Sequence, residues 1–436
     1  MKFCKQMTVL LIAAMAAGLV GGCSRQHENI NIILEEEEGQ SGVQEEKLTF
    51  FGHKADALDL VAIENSLHGF MDENEHITVT YEGIRGMSIY WEAFEKRAES
   101  GNMDDIVMID HDRMLALGAQ DQLADLSDLS TVENFDSLAR SQFVEEDGSV
   151  YFLPTCIAAY VLHVNLDMLE EHGQKVPTNL EEFTQVCDYF VSQGITPIVA
   201  NNFTSLRSLM VAKALYPVYQ EEDPAAQIER FNSGEDDIVE TLRPGIEMVG
   251  EMIGRGWFDC EEALVTGPIS DDLEIFAKGE RPFMIAGGWV SVRVSAMEPD
   301  FDYEVYPLPV LEDGSVLVEE VNTCVSVSAD SEHLEDARRL VEYLTRPDVL
   351  WEYCDSQNSF TPLKDDRIPS DKTIAPVIPY LTNGRSVIGS DYRLKLPLDN
   401  ALTECGLQML QGMNADEAVP YLSGLLETDQ CWNLKE

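Results

Sequence analysis

The chain has 436 residues and carries 79 acidic against 29 basic side chains, a formal charge of −50. Such a field repels phosphate backbones, and no basic patch interrupts it, which excludes a nucleic-acid partner. Beyond residue 46 about 390 residues remain, more than one ordinary core accommodates and natural for two domains.

Lys2 and Lys5 precede an apolar stretch, residues 9–20, that ends in Leu19-Val20-Gly21-Gly22-Cys23. A basic start, an apolar core too short to span a bilayer comfortably and a small-residue cleavage site describe a secretory signal, with a simple N-terminal membrane anchor as the alternative. A cysteine directly after that site makes it a lipoprotein signal. Residues 1–22 are therefore expected to be removed and Cys23 to carry lipid, leaving the rest outside the cytoplasm and tied to the cell membrane. Residues 23–46 hold Glu35 to Glu38, Gly39, Ser41 and Gly42 with no sustained apolar period. They cannot bury enough surface to offset the entropy of ordering them and read as a flexible linker. No later apolar run is long enough to cross a membrane, so the body is expected to be soluble.

From Lys47 the pattern alternates. Leu48 to Phe51 is a short apolar strand; Leu60, Ile63, Leu67 and Phe70 recur at helical spacing; Ile77, Val79 and Tyr81 alternate as a strand. Tyr90, Trp91, Phe94 and Ala98 suggest a second helix, and Asp105 to Ile109 a third, buried strand. This order implies an open α/β sheet with parallel pairing, in which ligands sit beyond the carboxyl ends of the strands. The loops with His53 and Lys54, after Tyr81, and with Asp110, His111, Asp112 and Arg113 are thus the ones to inspect. Asp147-Gly148-Ser149 reads as a turn and Gly173 as a helix stop. Thr178 with Glu181 reads as a capping box opening the helix of Leu180, Phe183, Val186, Cys187 and Phe190. Cys156, Cys187, Cys260, Cys324, Cys354, Cys405 and Cys431 show no C-x-x-C pair; buried thiols are expected, with one or two long-range disulfides left open.

Asp147-Gly148…Tyr151…Leu153-Pro154, then Asn165-x-Asp167, Pro177-Thr178-x-x-Glu181 and Gly194-Ile195-Thr196-Pro197-Ile198 form an ordered set. Phe276 to Glu280, Phe283 to Trp289, Tyr306-Pro307-Leu308-Pro309 and the stretch Glu332 to Leu344 before Arg346-Pro347 continue it. From Lys47 onward the chain resembles the extracellular solute-binding proteins of carbohydrate ABC importers, family 1, of the maltose-binding-protein type. The resemblance implies two discontinuous α/β lobes joined by a multi-segment hinge, the type II periplasmic-binding-protein arrangement. Lobe 1 would take residues 47–156 and 325–372, and lobe 2 residues 157–324 and 373–436. Crossings are expected near residues 154–160, 320–328 and 362–375, with the lobes closing on a sugar.

A sugar site pairs carboxylates, amides and arginine with flat aromatic rings. Asp112 and Arg113 match the Asp and Arg that hold sugar hydroxyls in proteins of that type. Trp289 matches a stacking Trp and follows Gly287-Gly288, whose missing side chains are expected to let the ring project. Asn201, Asn202 and Phe203 follow the Ile198 strand as polar and aromatic candidates, Tyr392 lies near the last crossing, and His53 is included for its loop. Ala158 stands where an acidic residue is usual and Val164 where Tyr is usual, which brings saccharides other than maltose, or a non-sugar, into view.

No G-x-S-x-G, H-E-x-x-H or G-x-x-x-x-G-K-[ST] occurs, and the eight histidines are scattered. The expectation is a binding protein rather than an enzyme, without cofactor or metal, and a monomer. Its expected partners are a carbohydrate, in the first place a short oligosaccharide, the permease subunits of an ABC transporter, and the membrane through the lipid. A solute-binding sensor lipoprotein feeding a receptor and an exported glycoside hydrolase are the alternatives.

Overall fold

The computed structural model describes residues 46–110, 113, 114, 117, 121–364, 367 and 369–427, and the backbone path of 7–11 and 31–36. Cys23 and Asp112 lie outside the described residues. The chain divides into two compact units. The first comprises Met1–Cys156, Asn322–Gln357 and Thr361–Lys364, and the second Ile157–Val321, Asn358–Phe360 and Asp365–Glu436.

In the first unit β1 (Met7–Leu11) pairs antiparallel with β2 (Asn31–Glu36), which pairs antiparallel with β4 (Ile77–Ile84). A strand thus falls within the stretch read as signal and another within the stretch read as linker. Ile32, Ile33 and Leu34 are residues that sheets favour, and the free edge of β4 offers them a ladder that local composition does not reveal. Next to β4 runs β3 (Glu46–Gly52), parallel to it and to β5 (Ile106–Ile109). Two helices make the crossovers. Ala57–Glu73 opens where the Asp56 carboxylate accepts from the amides of Leu58 and Asp59, and buries Ala62, Ile63, Leu67, Phe70 and Met71. Met87–Ser100 buries Tyr90, Trp91 and Phe94 and stops at Gly101, whose φ of 67° suits the left-handed end of a helix.

The long strand β6 (Leu153–Asn165), buried at every position, carries the chain into the second unit. There it pairs antiparallel with β8 (Phe283–Gly287) and β9 (Tyr303–Tyr306), while β7 (Ile198–Ala200) runs parallel to β8. The helix Leu180–Ser192 begins one residue later than its capping box suggested. Asn179, not Thr178, accepts from the amide of Glu182, and Glu182, not Glu181, reaches back to the Thr178 amide and hydroxyl. Helices Ser205–Tyr219 and Ile238–Gly254 pack so closely that a Cβ on Gly245 would lie 2.2 Å from the Met210 carbonyl oxygen.

After β10 (Leu308–Leu311), the strand β11 (Gly314–Val327) returns the chain to the first unit, where Cys324–Val327 pair antiparallel with β5. Helices Leu334–Leu344 and Pro347–Ser356 follow. The last passage brings β12 (Ser386–Ile388), parallel to Leu317–Glu319 of β11, and the helices Leu398–Leu410 and Ala415–Glu427. Two residues beside the changes of unit, Thr323 (φ 50°) and Asn358 (φ 46°), hold left-handed backbone without being glycine. Thr323 is fastened by Thr155, whose hydroxyl donates to its carbonyl at 2.8 Å, and Asn358 by its own amide, which donates to Ser291 and Asp371. The six described cysteines are all free thiols; Cys156, Cys187, Cys324, Cys354 and Cys405 are buried and Cys260 is partly exposed.

Candidate ligand-binding site

In the first unit the carboxyl ends of β3, β4 and β5 gather the expected polar loop. His53, just past β3, packs its ring edge-on to Tyr90 at 5.5 Å and near Trp91 at 6.5 Å. Desolvation there lowers its pKa to about 3, so the ring is neutral. Arg113 lies 7% exposed, with its guanidinium 4.3 Å from the centre of the Trp91 ring. It pairs with Asp110 at 2.8 Å and Glu95 at 3.2 Å, and its buried Nε has no hydrogen-bond partner among the described residues. The structure therefore turns most of this guanidinium inward. Asp110 also accepts from the Arg113 amide at 2.9 Å.

In the second unit Trp289 sits in the turn Gly288–Val290 directly after β8. Its ring does not project away from the glycines. It folds back over Gly287, where a Cβ would lie 2.2 Å from two ring carbons, so the missing side chain makes room for the ring itself. The half-buried ring meets Tyr160 of β6 in a T-shaped contact at 5.4 Å. Below it, His163 Nε2 donates to the Gly287 carbonyl at 3.1 Å, which leaves Nδ1 as a buried acceptor without a partner among the described residues.

Burial lowers the His163 pKa to about 4, outweighing the contact with Gly287 that favours the cation. Because the unfolded chain takes up this proton first, the contribution is complete above the ordinary histidine value of 6.5 and is lost as pH falls toward 4. Urea unfolding is expected to show a loss on the order of 2–3 kcal/mol from this group across that window. His163→Gln keeps a donor for Gly287 but cannot titrate, and should flatten that part of the pH profile. An unchanged profile would assign the acid lability to other groups.

A buried charge cluster adjoins Tyr160. Its hydroxyl donates to Glu320 at 3.1 Å; Arg207, 5% exposed, donates to Glu320 at 3.2 Å and pairs with Asp399 at 3.2 Å. Burial alone would lower the guanidinium's pKa, but Asp399 and Glu320 raise it. For Glu320, burial raises the carboxyl to about 7 against the pull of Arg207. Phe203, 39% exposed, has its ring centre 5.7 Å from the same guanidinium. Sequence reasoning did not find Tyr160, Arg207, Glu320 or Asp399. The available signal was a carboxylate inside the apolar run of β11 and an arginine in a helix buried on nearly every face.

The loop carrying Phe203 is tied by Asn201, whose side-chain oxygen accepts from the amides of Phe203 and Thr204 and whose amide donates to Asp272 at 3.0 Å. Burial pushes Asp272 up to about 6 despite that bond. Asn202 donates from its side chain to the Leu264 carbonyl at 3.3 Å. Tyr392 is half-buried between Asp391 and Arg393, whose ion pair closes on Tyr219. Trp289 and Phe203 are thus linked through Tyr160 and Arg207, whereas Tyr392 belongs to a separate polar turn.

The chain is 24% identical over 226 residues to a maltooligosaccharide ABC transporter solute-binding lipoprotein of Streptococcus pneumoniae, covering 50% of this chain and 49% of that one. A multiple sugar-binding protein of Streptococcus mutans is 20% identical over 401 residues, covering 86% and 87%. The matches span about half the length of the first curated relatives. Among solved structures, the solute-binding protein RafE in complex with raffinose shares the fold with a TM-score of 0.69 at 21% identity, covering 87% of this chain and 98% of the other. Likeness of fold alone would leave the family open. The family model for bacterial extracellular solute-binding proteins matches residues 66–376, and this chain belongs to that family.

Proposed function

We propose that this protein captures a carbohydrate, in the first instance a short oligosaccharide, outside the cytoplasm and delivers it to an ABC permease. The observation that carries the reading is the second unit's pair of partly exposed rings, Trp289 and Phe203, joined through Tyr160 and Arg207 to carboxylates. Rings of this kind match the apolar C–H faces of a pyranose, and fixed polar groups orient its hydroxyls. Membership of the family, and relatives named for maltooligosaccharides and multiple sugars, support it. Asn202, His53, Tyr392, Asp112 and the remaining Nε of Arg113 are the proposed polar contacts.

Processing fits the same reading. Removal of residues 1–22 would take β1 with it and leave β2 as the edge of the first unit's sheet, with lipid on Cys23 holding the monomeric binding protein at the membrane. The two units would serve as the lobes that close on ligand, and binding rather than catalysis is the activity.

Raffinose, stachyose and maltotriose, screened by thermal shift and calorimetry, are expected to include a binder of micromolar affinity, roughly −8 kcal/mol, that is recovered unchanged. Trp289→Ala should lose about 1 kcal/mol or more of that affinity while keeping its circular dichroism spectrum. Hydrolysis of the saccharides, or no stabilisation by any of a broad saccharide panel, would overturn the proposal.

A further inference from the structure

Five elements of the second unit meet at Glu320. One carboxylate oxygen accepts from the Tyr160 hydroxyl of β6 and the other from Arg207 of the helix Ser205–Tyr219. Arg207 also pairs with Asp399 at the start of the helix Leu398–Leu410. Gly389, just past β12, closes the other side, where a Cβ would lie 2.6 Å from the Glu320 carboxylate. Glu319 precedes it on the opposite face of β11. The titratable or charged groups facing Glu320 are therefore Tyr160, Arg207 and Asp399.

This arrangement also touches the aromatic face. Tyr160 abuts Trp289, and Arg207 lies 5.5 Å from the Tyr160 ring centre and 5.7 Å from that of Phe203. An ionised Glu320 can accept from both neighbours at once. A protonated one becomes a donor at one oxygen, so the Tyr160 hydroxyl must turn and Arg207 retains only the Asp399 carboxylate as a charged partner.

We propose that Glu320 is a positioning residue for the aromatic face of the second unit: its ionised form fixes Tyr160 and Arg207, and through them Trp289 and Phe203, so that saccharide affinity follows its protonation. The proposal rests on the carbohydrate reading for its functional consequence but not for its structural one. Burial of the carboxyl, which raises its pKa to about 7, puts the change within reach of ordinary buffers.

The test has two arms on the full chain. First, Trp289 emission, obtained as the difference between the wild type and Trp289→Phe, is followed from pH 5.5 to 8.5 without ligand. A single transition near neutrality that disappears in Glu320→Gln supports the proposal; a flat wild-type profile, or a transition that persists in Glu320→Gln, overturns it. Second, binding of raffinose, stachyose and maltotriose is measured at pH 6 and pH 8. The wild type should bind on the order of 3- to 10-fold more tightly at pH 8, a change that a single linked proton can supply. Equal affinity at the two pH values overturns the link to binding even if the emission titrates. Absence of binding across the saccharide panel overturns the carbohydrate reading, and the emission arm then decides the ring coupling by itself. Should Glu320→Gln fail to fold, Tyr160→Phe takes its place, since it removes the hydroxyl that joins Glu320 to the ring against Trp289: loss of the transition supports the proposal, and a transition that persists overturns it.

Discussion

Arg207→Ala is expected to destabilise the second unit by about 3–5 kcal/mol at pH 8, because it leaves the Glu320 charge buried without its cation. The side chains of Arg207 and Glu320 are 6% and 7% exposed, so water cannot replace the lost partner, whereas Asp399 at 29% is partly solvated and adds less. The size should depend on pH. Glu320 already titrates above its ordinary range, and loss of Arg207 removes the charge that holds it down. A carboxyl raised in the folded state favours folding while it keeps its proton and loses that contribution as pH rises through the folded value. The variant should therefore be less impaired at pH 5.5 than at pH 8 in urea unfolding. Equal losses at both values would mean that Glu320 stays in one protonation state throughout.

Gly245→Ala should be nearly as severe. The added carbon would meet the Met210 carbonyl oxygen at 2.2 Å and its carbonyl and α carbons at 2.8 Å, and main chain cannot turn aside as a flexible side chain can. The helices Ser205–Tyr219 and Ile238–Gly254 would have to part, at a cost of about 3 kcal/mol, the upper end for overpacking. Alanine's better helix propensity returns only about 1 kcal/mol. Gly254→Ala supplies the control at the end of the same helix, since a Cβ there meets nothing within 4 Å. It should be neutral or slightly stabilising. Similar melting temperatures for the two variants would refute the close approach of the helices.

The first unit's sheet was legible because its signals are local. Ile77, Val79 and Tyr81 alternate and are buried on one face of β4, and the apolar run before Asp110 is β5. The slip of the capping box shows the limit of local reading: Thr178 and Asn179 are both competent cap residues, Glu181 and Glu182 are both long enough to reach back, and the structure uses the later pair. Trp289 was recognisable from its glycines, but the direction of its ring depends on a contact with the Gly287 backbone that spacing does not encode. The Arg207–Glu320 pair joins residues 113 positions apart, and only the fold brings them together. Arg113 illustrates the converse. Its charge looked available in sequence, while Asp110, Glu95 and Trp91 already occupy most of it in space.

The distribution of thiols has a practical consequence. With the other described cysteines sealed in the core, Cys260, partly exposed although it packs against the second unit's core, is the most accessible described thiol for a maleimide dye. It opens the helix Cys260–Val265, whose Leu264 carbonyl receives the Asn202 side chain beside Phe203. Nature has thereby left a fluorophore attachment point one short helix away from the proposed sugar-facing loop, which makes the native thiol a ready starting point for a reagentless optical biosensor.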